Sequence, residues 1–278
     1  MIKKYRPFII IFFICSAAAL IAASFVDLNL DKFLNDPNNP FALWFEATGE
    51  MPCRLICVFG GALIFFCAEK KPLKIIGLIV EIGGSAYFGY YISYYLFMDR
   101  YKIPFGILFG LGVGFFVLYL GRFIAIPENL KKTFVILSIA GIIIMFAQLS
   151  VVEIVKAFWG RVRFRDLLKA GSFEAFTQWY IPNGINGNKS FPSGHTGGAS
   201  MSYLIMMFPF INREKWLKRS WLCFLVPFVF TSTVAFTRLV VGAHYLSDVT
   251  MGGTIGFITV IIGVAVLEKK YFKTEALT

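Results

Sequence analysis

The chain has 278 residues, 58% of them hydrophobic and 15% charged, with a mean hydropathy of +0.71. Soluble domains carry about 25% charged residues, so an ordinary water-soluble globule is excluded. The net charge of +11 suits either nucleic acid or a membrane surface, and the placement of the basic residues decides for the membrane.

Eight apolar blocks, each about long enough for a ~30 Å hydrocarbon core, follow one another at 8–26, 52–68, 73–97, 104–125, 133–155, 195–211, 221–237 and 249–267. Lys3, Lys4 and Arg6 start the chain on the inside by the positive-inside rule. The inner turns then carry Lys70, Lys71 and Lys74; Arg122, Lys131 and Lys132; Arg213, Lys215, Lys218 and Arg219; and Lys269, Lys270 and Lys273. This pattern predicts an all-α, polytopic membrane helical bundle of about eight transmembrane helices. It divides into N-terminal spans over 1–130, a core over 131–270 and a cytoplasmic tail over 271–278.

The first block has a basic start and is followed by Ala22, Ala23 and Ser24, as in a secretory leader. Its apolar run of about 18 residues exceeds the usual 7–15, so a retained span is expected. The stretch 27–50 reads as a polar outer loop with a short interfacial segment at Phe41, Leu43, Trp44 and Phe45. Glu81 lies inside the third block, where a carboxylate is costly; protonation, pairing with a neighbouring helix and a substrate role all stay open. Gly106, Gly110 and Gly114 recur every four residues in the fourth block, the spacing of a close helix contact. The five cysteines show no zinc or redox spacing and read as apolar buried thiols. Trp179 and Tyr180 are expected to anchor the long outer loop at the interface.

The outer basic residues are unevenly spread. Lys32, Arg54, Arg100 and Lys102 fall in the first two outer connections, whereas Lys156, Arg161, Arg163, Arg165, Lys169, Lys189 and Arg238 gather in the second half. Three elements there carry chemistry. Lys156 and Arg163 are seven apart at the outer end of the fifth block, about two helical turns, and share a face unless Gly160 breaks the helix. Phe191-Pro192-Ser193-Gly194-His195-Thr196 enters the sixth block, where Ser193 is placed to cap a helix whose free N–H groups form an anion site. Arg238, His244 and Asp248 lie between the seventh and eighth blocks; His244 and Asp248 are four apart, so the carboxylate can hold the ring in one tautomer. All three elements reach the same membrane face. Guanidinium forks, an ammonium group, two histidines and a helix N-terminus describe a phosphate-ester site.

Lysine, six residues, arginine; then Pro-Ser-Gly-His; then arginine, five residues, histidine, three residues, aspartate: this resembles the three-part signature of the type 2 phosphatidic acid phosphatase and vanadium haloperoxidase superfamily. The signature covers Lys156 to Asp248. Phe164 stands where a proline commonly follows the arginine, and Thr237 where a serine commonly precedes Arg238; neither change removes a charged or nucleophilic group, so an altered loop shape is expected. The family core of six helices has three before the first motif, whereas this chain has five, which implies two extra N-terminal spans.

The resemblance implies that His244 attacks phosphorus to give a phosphohistidine, that Asp248 orients it, and that His195 protonates the leaving oxygen and later activates water. Lys156, Arg163, Ser193, the Gly194 N–H and Arg238 would hold the phosphoryl oxygens. No metal and no cofactor are expected, because side chains supply the cations and no carboxylate cluster appears in the sequence. Arg161 and Arg165 read either as headgroup contacts or, with Lys169 and Lys189, as part of a solvated interfacial loop, and Glu153 as a partner of Lys156. The expected protein is a multi-pass phosphatase of the cytoplasmic membrane, acting on a lipid phosphate monoester or diphosphate at the extracytoplasmic face. Its partners are the lipid substrate and the bilayer, with no nucleic acid. A lipid phosphotransferase using the same intermediate, a hydrolase of soluble phosphate esters and, last, an anion transporter are the alternatives. The sequence leaves the oligomeric state and the identity of the lipid open.

Overall fold

A computed structural model describes residues 1–97 and 102–271; Arg100, Lys273 and the rest of the expected tail beyond Tyr271 lie outside the described residues. The described residues form helices joined by turns and loops, with no strand among them. In chain order these are α1 (Ile2–Leu34), α2 (Pro40–Thr48), α3 (Met51–Arg54), α4 (Ile56–Cys67), α5 (Lys71–Phe97), α6 (Ile103–Gly121), α7 (Glu128–Trp159), α8 (Phe164–Ala170) and α9 (Gly194–Ala199). A 3-10 helix (Ser200–Phe210), α10 (Arg213–Lys218), α11 (Ser220–Val240) and α12 (Leu246–Tyr271) complete the chain. Seven helical stretches are long and apolar enough to cross a membrane, and the chain is a polytopic helical membrane protein.

The expected sixth block differs from the other seven. It is the short α9 continued by the 3-10 helix. A 3-10 helix rises ~2.0 Å per residue against ~1.5 Å for an α-helix, so Gly194–Phe210 reaches roughly 30 Å with fewer residues than an α-helix needs. This slender stretch lies against α12 and α7 through glycines. A Cβ on Gly256 would sit 1.6 Å from Ser200 Oγ, and one on Gly197 would sit 2.3 Å from Gln148 Nε2.

The first block is part of the core. Phe12 stacks on Phe257 at 4.0 Å, and Tyr203 meets the same ring edge-on at 4.8 Å, within a cluster that includes Tyr5, Met201, Met206 and Val260. A cut near Ala22 would remove Tyr5 and Phe12 from that cluster. Helices α4, α5 and α6 form a second packed group. Cβ atoms on Gly106, Gly110 and Gly114 would fall within 2.2 Å of Ser93, Ser85 and Glu81 of α5, so this repeat is the close contact its spacing suggested. Glu81 is buried there and accepts a hydrogen bond from Ser85 Oγ at 2.8 Å.

Two expectations, the polar loop over 27–50 and the burial of every cysteine, need correction. The stretch 27–50 is mostly helical, because α1 runs on to Leu34 and Asn39 caps α2, its Oδ1 accepting from Ala42 N at 3.1 Å with Pro40 at the first helical position. At ~1.5 Å per residue α1 is about 50 Å long, longer than a ~30 Å core requires. Trp179 pins the long loop to α1, its Nε1 donating to Ser24 Oγ at 3.0 Å and to the Leu20 carbonyl at 3.2 Å. Cys15 is exposed on the outside of α1, while Cys53, Cys67 and Cys223 are buried.

The contact between α12 and the loop before α9 depends on Gly252, where a Cβ would lie 2.2 Å from the Ser193 carbonyl. Gly252→Ala is expected to lower both the melting temperature in detergent and the activity. Gly112→Ala, at a position with nothing within 4 Å of an added Cβ, should change neither; equal effects of the two substitutions would contradict this packing.

Candidate active site

The site is assembled by three turns. Helix α7 ends at Gly160, which takes a left-handed conformation (φ 57°); a Cβ there would be 2.1 Å from the Gly184 carbonyl, so glycine is required twice over. The break that would separate Lys156 from Arg163 does occur, yet Arg163, at the N-cap position of α8, lines one cavity with His244. Asn186 Nδ2 donates to the Gly160 carbonyl at 2.7 Å, and Ser190 N to the Arg161 carbonyl at 3.0 Å. Phe164, in the place of the usual proline, opens α8 and is buried against Phe173 at 5.9 Å.

The second turn is Ser193–His195. Ser193 caps α9 as its position suggested, its Oγ accepting from Thr196 N at 3.3 Å, and its own N–H donates to the Asp248 carbonyl at 2.8 Å. Lys156 Nζ reaches this turn: a Cβ on Gly194 would lie 2.7 Å from it. Lys156 also pairs with Glu153 at 3.2 Å. The third turn joins α11 to α12 through Gly242 (φ 63°). Ala243 N and His244 N both donate to the Arg238 carbonyl, at 3.0 and 3.3 Å, so Arg238 and His244 are brought together by their own backbone. Thr237, in the place of the usual serine, is buried and donates to the Val234 carbonyl at 2.7 Å.

These turns meet at a cavity of about 920 Å³ lined by Arg163, Arg165, His195, Arg238 and His244, together with Leu43, Trp44 and Glu46 of α2, Tyr94 and Tyr95 of α5 and Ile103 of α6. Lys156, Ser193, Gly194 and Asp248 stand behind this lining. The Nε atoms of Arg163 and Arg238 are buried and find no acceptor among the described residues. His244 Nδ1 is buried 3.5 Å from Asp248 Oδ2, a close ion-pair approach without a formed hydrogen bond. Burial holds the His244 ring below the ordinary imidazole range, at about 4, with Asp248 pulling the other way. Asp248 is itself fixed: Ser190 Oγ and Tyr245 N donate to Oδ2, the latter at 3.0 Å, and Arg161 Nη1 donates to Oδ1 at 2.7 Å.

Arg161 is therefore no headgroup contact. It is fully buried, pairs with Asp27 Oδ2 at 2.9 Å as well as with Asp248, donates to Ser247 Oγ and the Thr177 carbonyl, and lies over the Tyr245 ring at 4.2 Å. Arg165 does line the cavity, with Glu46 3.9 Å away, while Lys169 and Lys189 are exposed. Sequence reasoning missed Glu46 and Glu50. Glu46 Oε1 pairs with Arg238 Nη1 at 3.1 Å, and Glu50 Oε1 lies 3.2 Å from His195 Nδ1. Their signal was a spacing of four, repeated at Arg54, in a stretch read as loop. Among the described residues no group of three or more His, Cys, Asp or Glu side chains is placed to hold a metal ion.

A helical membrane protein with two histidines, converging guanidinium groups and a buried His–Asp pair belongs to the class that handles phosphate esters. The model of the PAP2 superfamily matches residues 133–272, half of the chain, and the chain belongs to that superfamily. Its activity is that of a phosphatase on phosphate esters. No curated protein and no solved structure matches the chain.

Removing Arg161 would strand two buried carboxylates, at a cost of about 3–5 kcal/mol. Arg161→Ala is expected to lower the melting temperature in detergent by roughly 10 °C. Arg161→Lys, which cannot serve both carboxylates and Thr177 with one fork, should restore less than half of the loss; full rescue by lysine would contradict the fork geometry.

Proposed function

We propose that the protein is a metal-independent lipid phosphate phosphatase of the cytoplasmic membrane, working at the extracytoplasmic face through a phosphohistidine. The observation that carries this reading is the pair of unpartnered, buried Nε–H groups on Arg163 and Arg238, beside two histidines at one cavity. Buried donors without acceptors are costly, and a phosphoryl group supplies the missing oxygens.

His244 Nε2 forms a bond to phosphorus while the bond from phosphorus to the ester oxygen breaks. The electron pair leaves with that oxygen, which takes a proton from His195 Nε2. Asp248 accepts from Nδ1–H of His244 and balances the positive charge that develops on the ring. Water then attacks phosphorus and gives its proton to His195; the P–N bond breaks and its electron pair returns to His244, freeing phosphate. Lys156, Arg163, Arg238 and the N–H groups at the start of α9 stabilise the equatorial oxygens, with Ser193 holding that turn in shape. The apolar part of the lining, with Leu43, Trp44 and Ile103, suits a hydrocarbon chain, which favours a lipid ester over a soluble one.

Purified protein in detergent and EDTA should release phosphate from long-chain lipid phosphates faster than from short-chain esters. His244→Ala should abolish phosphoenzyme formation, whereas His195→Asn should still be phosphorylated by nitrophenyl phosphate, whose leaving group needs no proton, and then hydrolyse slowly. Because the neutral ring is the nucleophile, the phosphorylation burst should persist as pH falls and disappear only as pH approaches 4. Label on the His244→Ala protein would overturn the assignment.

The side of the membrane has its own test. Truncation fusions after Asn188 should report outside and those after Lys218 inside. The opposite pattern would place the site at the cytoplasmic face.

A further inference from the structure

We infer that Glu50, which lies before the family-matched residues 133–272, is the positioning residue for His195, giving the site one histidine–carboxylate pair for each histidine. The inference rests on the acid–base role proposed above for His195. Glu50 Oε1 is 3.2 Å from His195 Nδ1, and both side chains are nearly buried, at 6% and 12% exposure. On the far side of the ring, Nε2 is 3.3 Å from the Glu46 carbonyl, and the ring meets Tyr95 edge-on at 5.4 Å. The ring is thus held at three places, and of these only Glu50 carries charge.

The carboxylate is itself held. Arg54 Nη2 donates to Glu50 Oε2, Arg54 Nη1 donates to Tyr87 OH at 2.7 Å, and the guanidinium lies over the Tyr91 ring at 4.6 Å. The first turns of α9 leave room for it: a Cβ on Gly198 would be 3.0 Å from Glu50 Cγ. The N-terminal part of the chain therefore packs Glu50 against α9 at a position that carries no side chain.

A carboxylate at Nδ1 keeps the proton there, so Nε2 is the atom that gives its proton to the leaving oxygen and takes one from water. It also stabilises the imidazolium that exists between those events. The other charged groups around His195 are Arg238 of α11, His244 of the α11–α12 turn, Lys156 of α7 and the Glu46 side chain of α2. The cations among them oppose the imidazolium. Glu46 is engaged with Arg238, so Glu50 is the carboxylate in contact with the ring.

The competing explanation is that Glu50 merely neutralises Arg54. Glu50→Gln keeps the size and an oxygen that can accept from Nδ1 but removes the charge. On a long-chain alkyl phosphate its kcat should fall about 10²-fold with KM little changed. Nitrophenyl phosphate should still label His244 at a rate within about threefold of the unaltered protein, and the phosphohistidine should accumulate as in His195→Asn. The double variant Glu50→Gln/Arg54→Gln removes the stranded cation, and its melting temperature in detergent should return toward that of the unaltered protein. Its kcat should stay low. Recovery of kcat in the double variant would show that charge neutralisation was the whole role and would overturn the inference. Accumulation in His195→Asn without accumulation in Glu50→Gln would overturn it while leaving the His195 assignment intact. No accumulation in His195→Asn would overturn that assignment and the inference together.

Discussion

Arg161 is the interaction on which the rest of the site depends. A guanidinium removed from water must have its charge and its N–H groups answered, and the groups that answer come from three distant parts of the chain: Asp27 of α1, Thr177 of the long loop, and Asp248 with Ser247 of α12. The end of α1 is held to the start of α12, and the loop is drawn over both. Asp248 then presents its other oxygen toward His244. Arg161, which is not among the residues lining the cavity, thereby fixes the carboxylate beside His244.

Glycine does at the backbone what Arg161 does with charge. Gly252 lets α12 approach the Ser193 carbonyl, Gly256 accommodates Ser200, and Gly197 accommodates Gln148 of α7. Between membrane helices, where lipid tails are as apolar as leucine, close approach of this kind replaces much of the hydrophobic drive that packs a soluble core. The same device brings α5 and α6 together at Gly106, Gly110 and Gly114, the two helices whose ends supply Tyr94, Tyr95 and Ile103 to the cavity. Glycine spacing therefore marks helix contacts in both groups, and only the charged and titratable neighbours distinguish the one beside His195 and His244.

The N-terminal elements are more than additional spans. Helix α1 supplies Phe12 to the core and Asp27 to Arg161, and α2 supplies one wall of the cavity together with Glu46. The turn into α3 supplies Glu50. These carboxylates compensate a site crowded with Lys156, Arg163, Arg165 and Arg238, whose mutual repulsion would otherwise oppose folding without a bound anion. The site thus extends beyond the matched part of the chain.

The sequence by itself determined the apolar blocks, the class of fold and the three motifs, because each is a local property. Hydropathy is a sum over neighbours, and a cap such as Ser193 or a pair such as His244 and Asp248 acts across four or five residues. The carboxylates were not legible in this way. Asp27 and Glu50 are polar residues in a polar stretch, and nothing within their own helices reveals that one meets Arg161 and the other His195. Arg161 lies two residues from Arg163 and looked like its neighbour, yet one is buried between carboxylates and the other faces the cavity. The left-handed turn at Gly160, stabilised by Asn186 and closed against Gly184, decides which of the two points inward. Tertiary structure alone makes that choice, since the partners that stabilise each orientation lie in helices far away along the chain.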